Sequence, residues 1–385
     1  MIQLGKKRSN IRELFEYGRN LASKIGPENV YDFTLGNPSV PTPDKVNEAA
    51  IGLMKNPDTH MYTSAEGALS VRKDLARFNR EKYGMPISEN LMYMTCGAAA
   101  GLAISLTAAI SDKQNEVVVL APFFPEYRVF TEAAGGKTVV VPLDEADFQV
   151  DFEAFAASLT EKTAAVIVNS PNNPSGIVYS GQTLSHLAEI LRAAERKYGT
   201  VITLISDEPY REIVYGPAVE SPLSYYDDSV LCYSFSKSFS LPGERIGFLA
   251  VNEKMTEAQE YFYAIAGAGR SLGYVCAPSL FQRVVAKCCA EPSDVSVYRK
   301  NRDVLTAFLR DLGLTVANPD GAFYLLVKSP DGNSQRFSDM AKERNLLIVP
   351  TDSFGAPGYV RIATCVSVDV VERSLPVFKK LVENY

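Results

Sequence analysis

The chain has 385 residues, 46% apolar and 22% charged, with 39 basic against 45 acidic side chains and a formal net charge of −6. This is globular composition at a length of one large or two fused domains, and an acidic balance without runs of like charge disfavours a nucleic-acid or anionic-membrane partner. Two histidines, His60 and His186, all but exclude a histidine-based metal site and leave a Ser-His-Asp triad nothing else to draw on.

Six cysteines without a C-x-x-C pair suit buried thiols in a reducing compartment better than a disulfide framework. The opening MIQLGKKRSNIREL lacks the apolar core of a signal peptide. No stretch reaches the roughly 18 consecutive apolar residues of a membrane span. A cytoplasmic protein is expected, with the Ala-rich stretch Cys96 to Ile110 as a buried helix.

In chain order, Asn10-Ile11-Arg12-Glu13 has capping-box form, Ile11, Leu14 and Phe15 share a helical face, and Gly26-Pro27 stops the helix before an extended arm. From about residue 90, β-rich runs alternate with helical stretches: Leu91–Thr95, Val117–Leu120, Thr138–Val141, Ala165–Val168, Val201–Ile205, Leu231–Phe235 and Ile246–Val251. That alternation predicts an α/β domain with a mostly parallel seven-stranded sheet covered by helices on both faces. Ser185–Tyr198 is one such helix, with Leu187, Ile190 and Leu191 at 3.6-residue spacing. Beyond about residue 285 the pattern turns to α+β: a helix near Tyr298–Leu312, strands at Ala322–Val327, near Leu346–Val349 and at Tyr359–Ala363, and a closing helix from Val368. The expected domains are a large one over 44–285 and a smaller α+β one built from 1–43 and 286–385.

Ligands of open α/β sheets bind outside the carboxyl ends of the strands, so the residues that follow each strand carry the functional reading. After Val201–Ile205 come Asp207 and Tyr210, a carboxylate and a phenol; alone, the Asp also reads as a helix N-cap. After Leu231 the chain reads Ser234-Phe235-Ser236-Lys237, then Arg245. A lysine in such apolar surroundings must be paired, deprotonated or snorkelling. Gly97-Ala98-Ala99 opens a helix with no bulk in front of its amides, a place for an anion or simply for close packing. Phe124 follows the next strand, as core or as an aromatic platform, and Asn173 lies in the tight loop Asn169-Ser170-Pro171-Asn172-Asn173-Pro174-Ser175-Gly176. Each signal alone is modest; their joint occurrence at successive strand ends is not.

These residues resemble the class I and II aminotransferases, pyridoxal-phosphate enzymes of the aspartate aminotransferase fold (fold type I). The matching motifs run from Leu35-Gly36-Asn37-Pro38 through Tyr62-Thr63-Ser64-Ala65-Glu66-Gly67, the Asn173 loop, Asp207 to Tyr210, Ser234 to Lys237 and Arg245 to Tyr359-Val360-Arg361-Ile362. The spacings are specific: 3 residues from Ser234 to Lys237, 8 from Lys237 to Arg245, 30 from Asp207 to Lys237.

The resemblance implies a homodimeric aminotransferase that moves an amino group from an L-amino acid to a 2-oxo acid by a ping-pong cycle. Lys237 would hold pyridoxal 5'-phosphate as an imine and then move the Cα proton. Asp207 would pair with the pyridine nitrogen, Tyr210 and Asn173 with the ring oxygen, and Phe124 would stack on the ring. Gly97, Ala98, Ala99, Ser234, Ser236 and Arg245 would bind the phosphate, joined by Tyr62 from the neighbouring subunit. Arg361, aided by Gly36 and Asn173, would take the substrate carboxylate.

Two positions depart from the common pattern: the turn at Ala98 offers no hydroxyl or lysine, and Phe124 stands where many relatives carry Tyr or Trp. The same residues would also serve a β-lyase or a decarboxylase. A non-catalytic sensor is disfavoured because no basic recognition helix precedes Gly36. The residues that select the substrate side chain do not declare themselves; Arg270 and Arg72 could meet a distal carboxylate or be structural.

Overall fold

The computed structural model describes residues 2–6, 10–216 and 219–385. The first long helix spans Asn10–Ile25 and ends at Gly26, whose φ of 89° only glycine adopts at ease, before a short 3-10 turn at Pro27–Asn29. The chain then enters the arm through the two-residue strand β1, Tyr31–Asp32.

The central sheet has seven strands, as the alternation predicts: β2 Ile87–Thr95, β3 Glu116–Leu120, β4 Lys137–Val141, β5 Thr163–Asn169, β6 Thr203–Asp207, β7 Ser229–Ser234 and β8 Gly247–Asn252. Their order is β2-β8-β7-β6-β5-β3-β4, and β8 alone runs against its neighbours. Side chains alternate across it because strand residues have a period of two. Val117 and Val119 of β3 join the cluster under the helices Ala98–Ala109 and Ala258–Ser271, while Val118 and Leu120 face the cluster under Gly181–Tyr198. Small residues let the Ala98–Ala109 helix lie close on the sheet: an added Cβ at Gly101 would stand 3.4 Å from Cys232 Sγ.

Four strands end differently from expectation: β5 and β8 each run one residue further, to Asn169 and Asn252, and the ends of β6 and β7 shape the site. β6 begins two residues later than Val201 and includes Asp207, which pairs with Asn169 and Cys232 on either side. The carboxylate is therefore held by the sheet itself, not by the loop after it. β7 stops at Ser234, and Phe235–Ser238 turns into one short helical turn, so Lys237 sits on a helix start capped by Ser234.

The carboxyl-terminal part builds a three-stranded antiparallel sheet from β9 Tyr324–Lys328, β11 Val349–Pro350 and β12 Tyr359–Ala363, in the order β11-β12-β9. β9 starts later than the expected Ala322 because Ala322 has a φ of 54°, outside the strand region. The expected strand near Leu346–Val349 divides in two. Leu346–Leu347 (β10) pairs in parallel with β1 of the arm, and after Ile348 the chain pairs with β12 instead. The helices Ser296–Asp311 and Val368–Glu383 cover this sheet, and Phe33 of the arm packs into the same core with Leu325, Val360 and Phe378.

Gly247 marks the tightest point of the large sheet: a Cβ there would collide with the Tyr233 carbonyl and stand 3.1 Å from Gly97 Cα. Replacing it presses β8 against both the neighbouring strand and the turn that opens the Ala98–Ala109 helix. Gly247→Ala is expected to cost about 1–3 kcal/mol, seen as a lower urea midpoint at unchanged slope.

Candidate active site

The carboxyl ends of β2, β3, β5, β6 and β7 bring most of the sequence-predicted residues to one place. Asp207 is buried, and its Oδ2 accepts a hydrogen bond of 2.6 Å from the Tyr127 hydroxyl. Its Oδ1 is equally buried and meets no donor. Burial pushes this carboxyl up to about 7, against the lowering effect of the Tyr127 bond and with a further push from the neighbouring Glu208. The backbone carbonyl of Asp207 accepts from Asn169 Nδ2 at 2.8 Å, and Asn169 Oδ1 accepts from the Asn173 amide at 2.8 Å. One asparagine thus ties the carboxylate strand to the loop that presents Asn173.

Lys237 points from its helical turn toward the arm, where Nζ donates to the Gly36 carbonyl at 2.5 Å and lies 5.5 Å from the Phe323 ring centre. Desolvation lowers this ammonium to about 8; the cationic Arg361 and Arg245 add to the lowering, and Cys365 opposes it. The amine therefore gives up its proton more readily than an ordinary lysine. Gly36 has no room for a side chain because a Cβ would run into the Tyr324 hydroxyl.

Arg361 of β12 is 2% exposed. Its Nη1 donates to Asn173 Oδ1 at 2.9 Å and its Nη2 to the Thr34 carbonyl at 2.5 Å. The guanidinium carbon lies 4.6 Å from the Tyr324 ring centre and 5.4 Å from that of Phe354, which hold the fork between two aromatic groups. Its Nε is buried without an acceptor. A guanidinium anchored on one side with an unused donor is poised to take a carboxylate. Tyr210 completes this wall, its hydroxyl 3.1 Å from that of Tyr324.

A second cluster lies where β2 meets its helix. Gly97 is the N-cap of Ala98–Ala109 with φ 79°, and no side chain caps the turn. A Cβ on Gly97 would stand 2.6 Å from Arg245 Nη2. Arg245 donates to the Cys96 carbonyl at 3.2 Å and to Ser236 Oγ at 3.4 Å, and Ser236 bonds Ser234 Oγ at 2.8 Å. Backbone amides of Ala98 and Ala99, two hydroxyls and a guanidinium therefore surround one spot, a donor set suited to a phosphate. Phe124, after β3, sets its ring edge-on to Tyr127 at 5.8 Å and 87°.

Tyr62 is the exception among the expected residues: it is 94% exposed and stands apart from these clusters in the single chain. Arg72, offered by the sequence for a distal carboxylate, is buried and donates to the carbonyls of Gly67 and Glu89, which fixes the turn after Tyr62. The sequence reading missed Tyr127, Asn169, Tyr324 and the Thr34 carbonyl. Tyr127 carried a usable signal, one helical turn after Phe124 beside the same strand ends. Asn169, read as the start of a loop, is the last residue of β5.

The family model described as aminotransferase class I and II matches residues 28–376. The chain belongs to that family. A probable aspartate aminotransferase of Methanocaldococcus jannaschii is 31% identical over 390 residues, 98% of each chain. An aromatic-amino-acid aminotransferase of Thermococcus litoralis is 28% identical over 98% of this chain and 96% of its own. Among solved structures, an amino transferase from Eubacterium rectale superposes with a TM-score of 0.97 at 47% identity, covering 100% of this chain and 98% of that one. The aspartate aminotransferase of Thermus thermophilus with maleate gives 0.87 at 27% identity over 97% of both. The protein is an amino-group transferase of this fold, and the α/β architecture with a seven-stranded, mostly parallel sheet agrees with it.

Asp207 supplies a test of the electrostatics. In the unliganded fold it keeps its proton up to about 7 against an ordinary value of 3.8. The folded state therefore binds more protons than the unfolded chain between these values, and this contribution to stability is present below about 4 and lost as pH rises through about 7. Asp207→Asn, which cannot ionise, is expected to raise the thermal midpoint of the unliganded protein at pH 8, with the gain vanishing near pH 4. A variant with the parent's pH profile contradicts the assignment.

Proposed function

We propose that the chain transfers amino groups with pyridoxal 5'-phosphate as its cofactor, working as a cytoplasmic homodimer. The observation that carries this reading is the orphaned, buried Oδ1 of Asp207 in the same strand-end cluster as the desolvated Lys237. An unpaired buried carboxylate oxygen is costly, and a pyridinium N–H is the kind of donor that removes the cost. The donor cradle around Gly97, whose missing Cβ leaves room beside Arg245, suits the phosphate.

When bound, this cofactor supplies the electron sink that stabilises a carbanion at the amino acid Cα and keeps the amino group between the two half-reactions. The protein's residues do the rest. Asp207, ionised by pairing with the ring nitrogen, keeps that nitrogen protonated. Asn173 and Tyr210 would offer an amide and a phenol to the ring oxygen, and Phe124 would stack on the ring. Gly97, Ala98, Ala99, Ser234, Ser236 and Arg245 hold the phosphate. Lys237 Nζ would hold the cofactor and, as a neutral amine, would take the proton from the substrate Cα. Arg361 binds the substrate α-carboxylate with Asn173 and Gly36 beside it, orienting the Cα–H bond.

The homodimer is supported by the exposed side chains of Met61, Tyr62, Tyr263, Leu272, Tyr274 and Val275, an apolar set on a molecule with a well-formed core. Tyr62 of one subunit would complete the partner's phosphate site. Pairing of β1 with β10 supports a small domain of 1–43 and 286–385 beside a large one of 44–285. Free thiols at all six cysteines, three of them buried, favour a reducing compartment.

Incubating the purified protein with pyridoxal phosphate and a panel of aspartate, aromatic, branched-chain and sulfur amino acids, each with 2-oxoglutarate, tests the reading through the cofactor's visible absorbance and the 2-oxo acid formed. Lys237→Ala is expected to lose turnover by about 10²–10⁴-fold or more; turnover at the parent's rate refutes the assignment. Arg361→Lys, which keeps the charge but not the fork, is expected to raise KM for the amino acid about 10- to 100-fold, with a smaller change in kcat.

A further inference from the structure

Along the turn from Asp207 to Arg211 the side chains part company. Asp207 and Tyr210 face the cluster of Tyr127 and Tyr324. Glu208 and Arg211 face away and form an ion pair with side chains 0% and 1% exposed, Arg211 Nε to Glu208 Oε2 at 2.8 Å. Glu208 Oε1 also accepts from Ser206 Oγ at 2.6 Å and Ser221 Oγ at 2.7 Å. Arg211 Nη1 donates to Asn79 Oδ1 at 2.8 Å, on the helix Leu69–Tyr83 that continues from the Tyr62 segment. Its guanidinium carbon lies 5.0 Å from both the Tyr83 and Tyr233 ring centres. The Tyr233 hydroxyl in turn donates to Ser238 Oγ at 2.9 Å, the residue beside Lys237.

This one buried pair therefore touches the end of β6, the helical turn that carries Lys237 through Tyr233, and the helix behind both. A buried ion pair is a weak source of stability, and replacing both charges by apolar groups of similar volume is often neutral. What a guanidinium fork adds is geometry, since it holds its partners at fixed angles. We propose that Glu208 and Arg211 are positioning residues, bracing Asp207 and Lys237 from behind so that the carboxylate and the amine keep their mutual placement. The proposal rests on the pyridoxal-phosphate reading of the site.

The test uses the full chain loaded with pyridoxal phosphate, comparing the parent with the double variant Glu208→Leu/Arg211→Met and with Arg211→Lys. The double variant is expected to keep the parent's urea midpoint. Its cofactor dissociation constant should rise about tenfold and its kcat fall about 10- to 100-fold, with KM for the amino acid near the parent's. The visible circular dichroism of the bound cofactor should change, which a purely structural pair would not bring about. Parent-like cofactor affinity, dichroism and kcat in a folded double variant overturn the proposal. Should the double variant fail to fold, Arg211→Lys decides: it keeps a charge beside Glu208 but loses the fork to Asn79, and should move all three readouts several-fold in the same direction. Parent-like values overturn the proposal there too. A parent that takes up no cofactor overturns the functional reading and this proposal together, whereas cofactor uptake with unaltered variants overturns only the latter.

Discussion

Asn169 and Asp207 face each other on the last rung between β5 and β6, and the side chain of Asn169 closes that rung a second time. It donates to the Asp207 carbonyl and accepts from the Asn173 amide. Everything on the substrate side follows from this junction. Asn173, so placed, holds Arg361 across the gap between the two sheets, and Arg361 reaches on to the arm through Thr34. The junction is made of neutral amides buried at the end of a parallel sheet, where ladder hydrogen bonds are already satisfied, so it is rigid without spending a charge.

The charged groups of the site are handled in the opposite way. Lys237 and Asp207 are both desolvated, and burial moves each toward its neutral form, the amine to about 8 and the carboxyl to about 7. Neither shift serves the stability of the unliganded chain. Both suit the proposed reading, in which Asp207 would meet a cationic ring nitrogen and Lys237 would act as a neutral amine. Glu208 follows Asp207 and Arg211 follows Tyr210; the two stay paired with each other, so the same turn carries a buried ion pair, with Arg211 Nη2 left without an acceptor, and one unsatisfied carboxylate oxygen.

Much of this was legible in the residues. Seven apolar β-rich runs alternating with helical stretches specify the sheet because period-two burial on both faces leaves few other arrangements, and the spacing from Asp207 to Lys237 to Arg245 carried the site. What remained hidden depended on contacts far apart in the chain. Ala322 reads as strand by its neighbours, yet its positive φ delays β9. Leu346 to Val349 reads as one strand, and only the three-dimensional positions of β1 and β12 show why it changes partner at Ile348. Tyr127, Asn169 and Tyr324 are ordinary core residues by composition; their importance lies in the hydroxyls and amides that reach Asp207, Asn173 and Tyr210. Arg72 illustrates the converse, since a buried guanidinium that suggests a ligand in the sequence donates to two backbone carbonyls instead.

The arm joins the site through two carbonyls, Thr34 to Arg361 and Gly36 to Lys237. These groups are two residues apart on one chain, and covalent geometry allows them a separation of at most ~7 Å. The arm is therefore a ruler laid between Lys237 and Arg361, graduated in peptide units. An insertion of a single residue between Thr34 and Gly36 would lengthen that ruler by one division, a change in reach about as large as the substrate's own distance from carboxylate to amino group.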